Sequence, residues 1–263
     1  MKEVHIFFAP EIEQTNELPQ DEAQHAVRVL RMKEGDELVA TDGQGHFFDC
    51  TITLASNKHC RVNINTKETA PLLWHGNIHL AVAPTKNMDR IEWFAEKATE
   101  IGFDELTFLD CRFSERRVVK TERVEKILVS AMKQSLKPTL PVLNGMTPFN
   151  KFVAQPFAGQ KFIAHCYEGD KDPLMQALTP GEDALVLIGP EGDFSPEEVK
   201  LAIEHGFRPI TLGRSRLRTE TAALVAVHLM NVMNSPLLTS PKGEEAQASG
   251  VCLPPLGGEE GGL

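Results

Sequence analysis

Two glycine-containing segments in the second half of the chain carry residue types that suit a ligand site. The first, IGPEGDFSPEE at 188–198, overlaps the end of an apolar run, ALVLI. Gly189 and Gly192 allow a backbone to turn sharply and to come close to a bound molecule. Ser195 and Glu198 have the spacing of a capping box, which predicts that a helix begins there. The segment is therefore expected to run from strand through glycine loop to helix, either as a ligand-binding loop or as an ordinary tight turn.

The second segment, LGRSRLRTETA at 212–222, follows a short apolar run of its own. Gly213 again permits a turn, and three guanidinium groups come after it, those of Arg214, Arg216 and Arg218. An arginine cluster is most often a solvated loop, but this one stands at the carboxyl end of a strand, where open α/β sheets place their binding sites. The two segments could therefore face one ligand. Neither has the G-x-G-x-x-G pattern of a dinucleotide loop or the Gly-Lys-Ser/Thr of a phosphate loop.

Composition argues against several classes of protein. The 263 residues carry a net charge of −10, which disfavours nonspecific binding of nucleic acid unless a basic face exists locally. No apolar run reaches the roughly 18 residues of a membrane span, and the start of the chain lacks a signal peptide's apolar region. A cytoplasmic protein with no membrane partner is therefore expected. The cysteines are scattered without a C-x-x-C pair, so neither a disulfide framework nor a metal site is expected.

The elements that must position these loops follow from the apolar periodicity. Up to about residue 68 the pattern alternates with period two, apart from a short helical stretch at 25–30, and DGQG at 42–45 predicts a hairpin turn. A small β-barrel is the interpretation. From about residue 74, strands alternate with helices, which predicts a mostly parallel sheet. The predicted strands cover 78–83, 106–110, 161–165, 184–188 and 210–212, and the predicted helices cover 88–101, 123–136, 195–205 and 219–234.

The two glycine segments together resemble the RsmE family of ribosomal RNA methyltransferases, in the SPOUT superfamily. The resemblance rests on IGPEGDFS at 188–195 and LGRSRLRTETAAL at 212–224, and it extends to EKATEIGFDEL at 96–106 and AMKQSLKPTLPVL at 131–143. HAVRVLRMKEGDELVATDGQG at 25–45 is similar to the family's opening RNA-binding domain. The family often has glycine where Asp193 stands and an aliphatic residue where Arg216 stands.

This resemblance implies an α/β fold in which a PUA-like RNA-binding β-barrel (1–70) precedes a SPOUT methyltransferase domain with a trefoil knot (71–236). The remaining segment, 237–263, is rich in Gly, Pro and Glu, and its composition predicts a disordered tail. The implied cofactor is S-adenosylmethionine (SAM), and the implied assembly is a homodimer. The residues implied to bind the cofactor are His165, Ile188, Gly189, Pro190, Glu191, Gly192, Leu212, Gly213, Leu217, Arg218 and Thr219.

The implied reaction is methylation of N3 of a uridine in 16S ribosomal RNA of the small subunit. N3 carries a proton that must leave before or during attack, so a base or a nearby cation would accelerate the transfer. Arg218 is the candidate for the electrostatic role and Glu220 for the base, although Glu220 could equally be a carboxylate that favours a helix N-terminus. The candidate RNA contacts form two basic clusters, Arg28, Arg31 and Lys33 in the first and Arg112, Arg116 and Arg117 in the second.

Three rival interpretations remain open on the sequence alone. A sister SPOUT enzyme would methylate a ribose 2′-hydroxyl or a guanine, and the PUA-like start and LRTETA argue against it. A non-catalytic RNA-binding or ribosome-assembly factor would keep the fold without binding SAM. A nucleotide-binding α/β protein with no RNA role would leave the basic N-terminal cluster without a purpose.

Overall fold

The computed structural model describes residues 5–56 and 58–236. The tail predicted at 237–263 lies outside the described residues. The first part of the chain forms a four-stranded sheet in the order β1-β2-β3-β4. Its strands are β1 Ile6–Phe8, β2 Glu37–Thr41, β3 His46–Ala55 and β4 Cys60–Thr69, and its helices are α1 Ile12–Thr15 and α2 Gln20–Gln24, with a π-helical turn at His25–Val29. The predicted helical stretch at 25–30 is thus the continuation of α2.

The hairpin between β2 and β3 turns at the predicted DGQG. Asp42 Oδ1 accepts hydrogen bonds from the backbone N–H groups of Gln44 (2.7 Å) and His46 (3.3 Å). Gly43 and Gly45 have φ angles of 76° and 101°, a region that favours glycine. Asp-Gly chemistry therefore sets the register that pairs Thr41 with Phe47.

The small sheet closes on itself through the segment that follows α1. The backbone N–H of Leu18 donates to Cys60 O and that of Val62 donates to Asn16 O, each at 2.9 Å. The chain that begins in β1 at one edge therefore also covers β4 at the other edge. Phe7, Phe48 and Ile52 fill the interior and are almost fully buried. This arrangement agrees with the small barrel expected from the sequence.

The second sheet is parallel throughout the described residues, in the order β7-β6-β5-β10-β8-β11-β9. Its strands are β5 Ile78–Val82, β6 Glu105–Asp110, β7 Val142–Pro148, β8 Gln160–Ala164, β9 Asp172–Pro173, β10 Ala184–Ile188 and β11 Arg208–Thr211. The predicted parallel sheet is confirmed. Four adjacent strands, β5, β10, β8 and β11, end at one edge, which places their following loops side by side.

Helices cover both faces of this sheet. They are α3 Met88–Ile101, α4 Thr121–Gln134, α5 Phe149–Val153, α6 Leu174–Ala177, α7 Pro196–Glu204 and α8 Thr219–Asn234. One apolar cluster packs α3, α4 and α8 on one face, and a second packs α5 and α7 on the other. The four predicted helices are confirmed, whereas α5, α6, β7 and β9 were not predicted. No helix in the described ranges is long and apolar enough to cross a bilayer.

The two sheets are joined through a docked turn, which we define as residues 43–45. The backbone N–H of Gly45 donates to Pro138 O (3.0 Å), and that of Leu140 donates to Gly43 O (2.9 Å). Nearby, Lys133 Nζ of α4 forms an ion pair with the buried carboxylate of Glu22 of α2. The first sheet is therefore anchored to the loop between α4 and β7 by backbone hydrogen bonds and a largely buried charge pair.

Candidate active site

A cavity of about 690 Å³ opens at the carboxyl edge of the parallel sheet. Three loops supply most of its lining, and they follow β8, β10 and β11. The first turn of α3, which follows β5, supplies Arg90. The cavity therefore lies where four adjacent parallel strands end, which is the general position of ligand sites in open α/β sheets.

The loop after β10 is built around a tight turn, in which the N–H of Asp193 donates to Pro190 O at 2.9 Å. Asp193 has a φ of 67°, in the left-handed region that favours glycine. Its carboxylate accepts hydrogen bonds at 2.8 Å from the backbone N–H groups of Cys166 and Phe194, which ties the loop to the end of β8. A Cβ at Gly189 would lie 3.1 Å from the backbone nitrogen of Phe194, so glycine permits the close approach.

The helix start predicted after this loop is confirmed in detail. Ser195 Oγ accepts from the N–H of Glu198 (3.2 Å), and the Glu198 carboxylate accepts from the N–H of Ser195 (2.8 Å), which makes a complete capping box. The other carboxylate oxygen of Glu198 accepts from the N–H of Arg112 at 2.8 Å. The start of α7 is thereby fixed to the loop that follows β6.

One buried hydrogen bond joins the two glycine loops. Thr219 Oγ1, in the first turn of α8, donates to Gly189 O at 3.1 Å. Gly213, at the other end of the same loop, has a φ of 140°, which a residue with a Cβ adopts only under strain. The sequence-based expectation that the two loops face one space is therefore confirmed.

The cavity is positively charged, although the whole chain carries −10. Among the described residues that line it, five are cationic and two are acidic. The acidic pair is Glu191 and Asp193, and both bind backbone N–H groups, since Glu191 accepts from the N–H of Lys86 at 2.9 Å. The cationic residues are Arg90, Lys171, Arg214, Arg216 and Arg218. The surroundings therefore favour an anionic or electron-rich ligand.

The segment after β8 adds an imidazole to the lining. Burial, with the nearby Lys171 ammonium, lowers the pKa of His165 below its ordinary value, so the ring is neutral at physiological pH. Lys171 Nζ donates to the backbone carbonyls of His165 (2.8 Å) and Tyr167 (2.6 Å) and so fixes the path of this segment. Burial also raises the pKa of the neighbouring Cys166 thiol, which keeps it protonated.

Most of the residues predicted to bind the cofactor do line the cavity. These are His165, Ile188, Gly189, Pro190, Glu191, Leu212, Gly213, Leu217, Arg218 and Thr219. Gly192 does not line it and instead faces the Phe113 side chain, which lies 3.2 Å from where a Cβ would stand. Arg90 and Lys171 line it without having been predicted. Both stand outside the glycine segments, so no local motif in the sequence marks them.

Glu220, predicted as a candidate base, lies behind the cavity wall rather than in its lining. Only 9% of its side chain is exposed. Its Oε1 is 3.7 Å from Arg90 Nη1, and its Oε2 is buried without a hydrogen-bond partner. The structure therefore couples Glu220 to the cavity through Arg90.

The two predicted RNA-binding clusters lie in different parts of the fold. Arg28, Arg31 and Lys33 are exposed on the first domain's surface near the end of the π-helical turn. The second cluster is already engaged within the protein. Arg112 pairs with Glu197 (2.9 Å), Arg116 donates to the carbonyls of Thr85 and Lys86, and Arg117 pairs with Asp110.

Comparison with known protein families assigns this combination of parallel sheet, cavity and small closed β unit to the RNA methyltransferases. The family described as "RNA methyltransferase domain" matches residues 74–231, and the family described as "RNA methyltransferase PUA domain" matches residues 18–65. The chain belongs to the family of ribosomal RNA small subunit methyltransferase E, the RsmE family named above.

Individual relatives agree with this assignment. Ribosomal RNA small subunit methyltransferase E of Buchnera aphidicola is 32% identical over 223 residues, which cover 81% of this chain and 86% of the relative. A crystal structure of a probable rRNA-methyltransferase from Porphyromonas gingivalis is 46% identical, with a TM-score of 0.83 over 88% of this chain and 98% of that chain. A Legionella pneumophila putative methyltransferase in complex with the bound cofactor SAM is 28% identical, with a TM-score of 0.78 over the same shares.

Proposed function

We propose that the protein is a SAM-dependent methyltransferase that modifies N3 of a uridine in 16S ribosomal RNA. The observation that carries the proposal is the single cavity formed by two glycine loops that the Thr219–Gly189 hydrogen bond holds together. It is supported by the family of the chain and by the Legionella relative, whose structure contains SAM. The boundaries proposed for the two functional domains are 1–70 and 71–236.

The described residues suit a SAM molecule. A cavity of about 690 Å³ falls within the range of roughly 300–1,000 Å³ typical of small-molecule sites. Gly189 and Gly213 line the cavity and carry no Cβ, so no side chain of theirs occupies the space that an adenine ring would need. Lys171 and the loop arginines complement the carboxylate of the methionine moiety. When bound, SAM supplies a methyl group on a positively charged sulfur.

The chain's own residues must orient the uracil ring and support the loss of its N3 proton. Negative charge develops on the uracil oxygens as that proton leaves, and a fixed cation lowers the energy of this state. Arg218 lines the cavity at the N-cap position of α8, and no described residue pairs with its side chain. We therefore assign Arg218 the electrostatic role. Glu220 keeps the two roles that the sequence allowed, a general base or a structural carboxylate. Its burial behind Arg90 favours a role in which it acts on Arg90 and not on the substrate.

The experiment that tests this function compares cofactor binding with turnover. Arg218→Ala is expected to lower methylation far more than it lowers SAM affinity in calorimetry. Lys200→Ala removes an exposed cation of α7 away from the cavity and serves as the control for net charge. Equal turnover in Arg218→Ala and the wild type would remove Arg218 from the mechanism, and no SAM binding by the wild type would favour a non-catalytic RNA-binding factor.

Mass spectrometry of ribosomal RNA from a deletion strain identifies the modified atom. Loss of N3-methyluridine is the expected result, whereas loss of a ribose 2′-O-methyl group or of a methylguanine would assign the protein to the sister enzymes. For RNA contact we favour the first cluster, because Arg28, Arg31 and Lys33 are all exposed and the side chains of Arg31 and Lys33 form no ion pair with the described residues. The side chains of Arg112, Arg116 and Arg117 bind acceptors within the protein. Binding that weakens steeply with salt would support this contact.

We also propose a cytoplasmic homodimer, with α8 at or near the interface. The helix is apolar on nearly all sides, and several of its apolar side chains are only half-buried in the single chain, namely Leu224, Val225, Leu229, Val232 and Met233. Such a helix normally packs on further apolar surface. The trefoil knot implied by the family stays a prediction. Sedimentation equilibrium tests the dimer, and a monomer at micromolar concentration would contradict it.

A further inference from the structure

Arg90 is a cation of the cavity that belongs to neither glycine loop. It stands in the first turn of α3 and lines the same space as Arg218. About 40% of its side chain is exposed, so the guanidinium is accessible to a ligand. Two guanidinium groups from different helices, α3 and the start of α8, thus border one cavity.

The segment that carries Arg90 is held in place from several sides. Asn87 caps α3 by accepting a hydrogen bond from the N–H of Asp89 (3.0 Å). Glu191 binds the N–H of Lys86, and Arg116 donates to the Lys86 carbonyl at 2.6 Å. The start of α3 is therefore fixed both by the first glycine loop and by the loop that follows β6.

Glu220 is the carboxylate that faces Arg90. The two acidic residues of the cavity lining are committed elsewhere, Glu191 to the N–H of Lys86 and Asp193 to that of Cys166. Glu220 has one oxygen 3.7 Å from Arg90 Nη1 and the other without a partner, with nine-tenths of its side chain buried. Since it does not line the cavity, it is poorly placed to take a proton from a substrate directly, but it is well placed to orient the guanidinium.

We propose that Arg90 is a second catalytic residue, which contacts the uracil ring as it becomes anionic, and that Glu220 is its positioning residue. This inference rests on the proposed function. In the step it assists, N3 loses its proton to water, the freed electron pair of N3 takes up the methyl group, and the electrons of the broken S–C bond stay with sulfur. Arg90 and Arg218 stabilise the negative charge on the uracil oxygens after the proton has left N3 and before N3 takes up the methyl group.

The test is a double-mutant cycle on Arg90→Ala, Glu220→Gln and the double variant. Removing one preorganised donor to a developing oxyanion lowers kcat by about 100-fold in comparable sites, and this is the expected loss for Arg90→Ala. We expect Glu220→Gln to lower kcat less, and to have little further effect once Arg90 is absent, because it acts through Arg90. Affinity for SAM, measured by calorimetry, should change by less than about threefold, well under 1.4 kcal/mol.

A pH profile separates this role from a structural one. At alkaline pH the N3 proton of uridine dissociates unaided, so the kcat defect of Arg90→Ala should shrink as pH rises, and Arg90→Lys should restore part of the activity at neutral pH. Lys97→Ala is the matched control, because it breaks another ion pair of α3, with Glu100, away from the cavity. Thermal unfolding of each variant identifies any that fail to fold. If Arg90→Ala fails to fold, the activity of Arg90→Lys is compared with that of the wild type instead.

Several results would overturn the inference. Additive losses in the cycle would make Glu220 an independent base. A raised KM with a shallower salt dependence would assign Arg90 to a backbone phosphate, and a raised Kd for SAM would assign it to the cofactor. Unchanged kcat in Arg90→Ala, alongside methylation of uridine N3 by the wild type, would refute the role of Arg90 and leave the proposed function intact. A wild type that binds SAM but never methylates uridine N3 would refute the function itself.

Discussion

Replacement of Thr219 by valine tests whether one hydrogen bond holds the two glycine loops together. Valine has nearly the shape of threonine, so the change removes the hydroxyl that donates to Gly189 O and little else. Thr219 is only 6% exposed, so water cannot readily take the place of the lost donor. A buried carbonyl left without a partner costs about 1–3 kcal/mol. We expect the free energy of unfolding to fall by that amount.

Part of this loss should also appear in cofactor binding, because the two loops line the same cavity. If the open arrangement of the loops predominates in the absence of SAM, a loss of about 1.4 kcal/mol in their closed state weakens SAM binding about tenfold, and if the closed arrangement stays predominant the affinity changes little. Urea unfolding measures the stability and calorimetry measures the affinity. The urea midpoints of wild type and variant can be converted to a difference in the free energy of unfolding only if their m-values are equal.

Two further variants control for size and position. Thr219→Ser keeps the hydroxyl and should retain most of the stability. Thr221→Val makes the same chemical change one half-turn later in α8, at a half-buried position with no side-chain hydrogen bond to the described residues. If Thr219→Val unfolds within about 0.5 kcal/mol of Thr221→Val, which is the usual spread for neutral substitutions, the reasoning that links the loops through this bond is wrong.

Three other measurements test separate features. Lys133→Met leaves the carboxylate of Glu22 buried and unpaired, so the free energy of unfolding should fall by about 3 kcal/mol. The further change Glu22→Leu should recover most of that loss. An unchanged urea midpoint in Lys133→Met would show that the pair does not anchor the first sheet. Peptide mass spectrometry after alkylation at alkaline pH should show modification of the exposed Cys166 but not of Cys50, which is buried and whose pKa burial raises to about 12. Bound SAM should protect Cys166, which lines the cavity, and equal labelling with and without SAM would place the cofactor elsewhere. Burial lowers the pKa of His79 below its ordinary 6.5, so the folded protein binds fewer protons than the unfolded chain. The free energy of unfolding should therefore fall as pH drops through about 6.5. His79→Gln should flatten this pH dependence, and the same pH profile in the variant and the wild type would contradict the assignment to His79.

The sequence predicted the two glycine loops because their chemistry is local. Ser195 and Glu198 cap the helix that begins between them, and a turn needs glycine at Gly213, so three or four adjacent residues determine each feature. Strand β10 is an uninterrupted apolar run, and β5 is apolar except for His79, so both were equally evident. The meeting of both loops at one cavity was inferred only from the rule that ligand sites lie at the carboxyl ends of strands.

The features that were missed depend on contacts between distant parts of the chain. Strand β7 contains Gly145 and Pro148 and lies at the edge of the sheet, so its residues lack a strand's apolar alternation. Arg90 sits in an ordinary amphipathic helix, and it becomes part of the site only because β5 is a neighbour of β10. In the second basic cluster, Arg112 and Arg116 bind acceptors supplied by segments far away in the sequence, which the sequence did not reveal, and the role of this cluster in RNA contact stays a prediction.

Whether Asp193 suits its position could also not be judged from the sequence. The family often has glycine there, and the φ of 67° shows why. The aspartate is accommodated because its carboxylate accepts hydrogen bonds from two backbone N–H groups, one of them that of Cys166, 27 residues away. A residue that departs from the pattern of a motif is thus explained by a partner outside the motif.

The docked turn fixes the distance between the basic cluster of the first domain and the cavity of the second. Its hydrogen bonds at Gly43 and Gly45 leave little freedom for the first sheet to swing against the second, so the span from Arg31 to the cavity is set by the protein itself. An RNA that reaches both ends must already have the matching curvature. Under the proposed function, the choice of one uridine among many in ribosomal RNA would then depend on the shape of the RNA as much as on the nucleotide sequence around the target base.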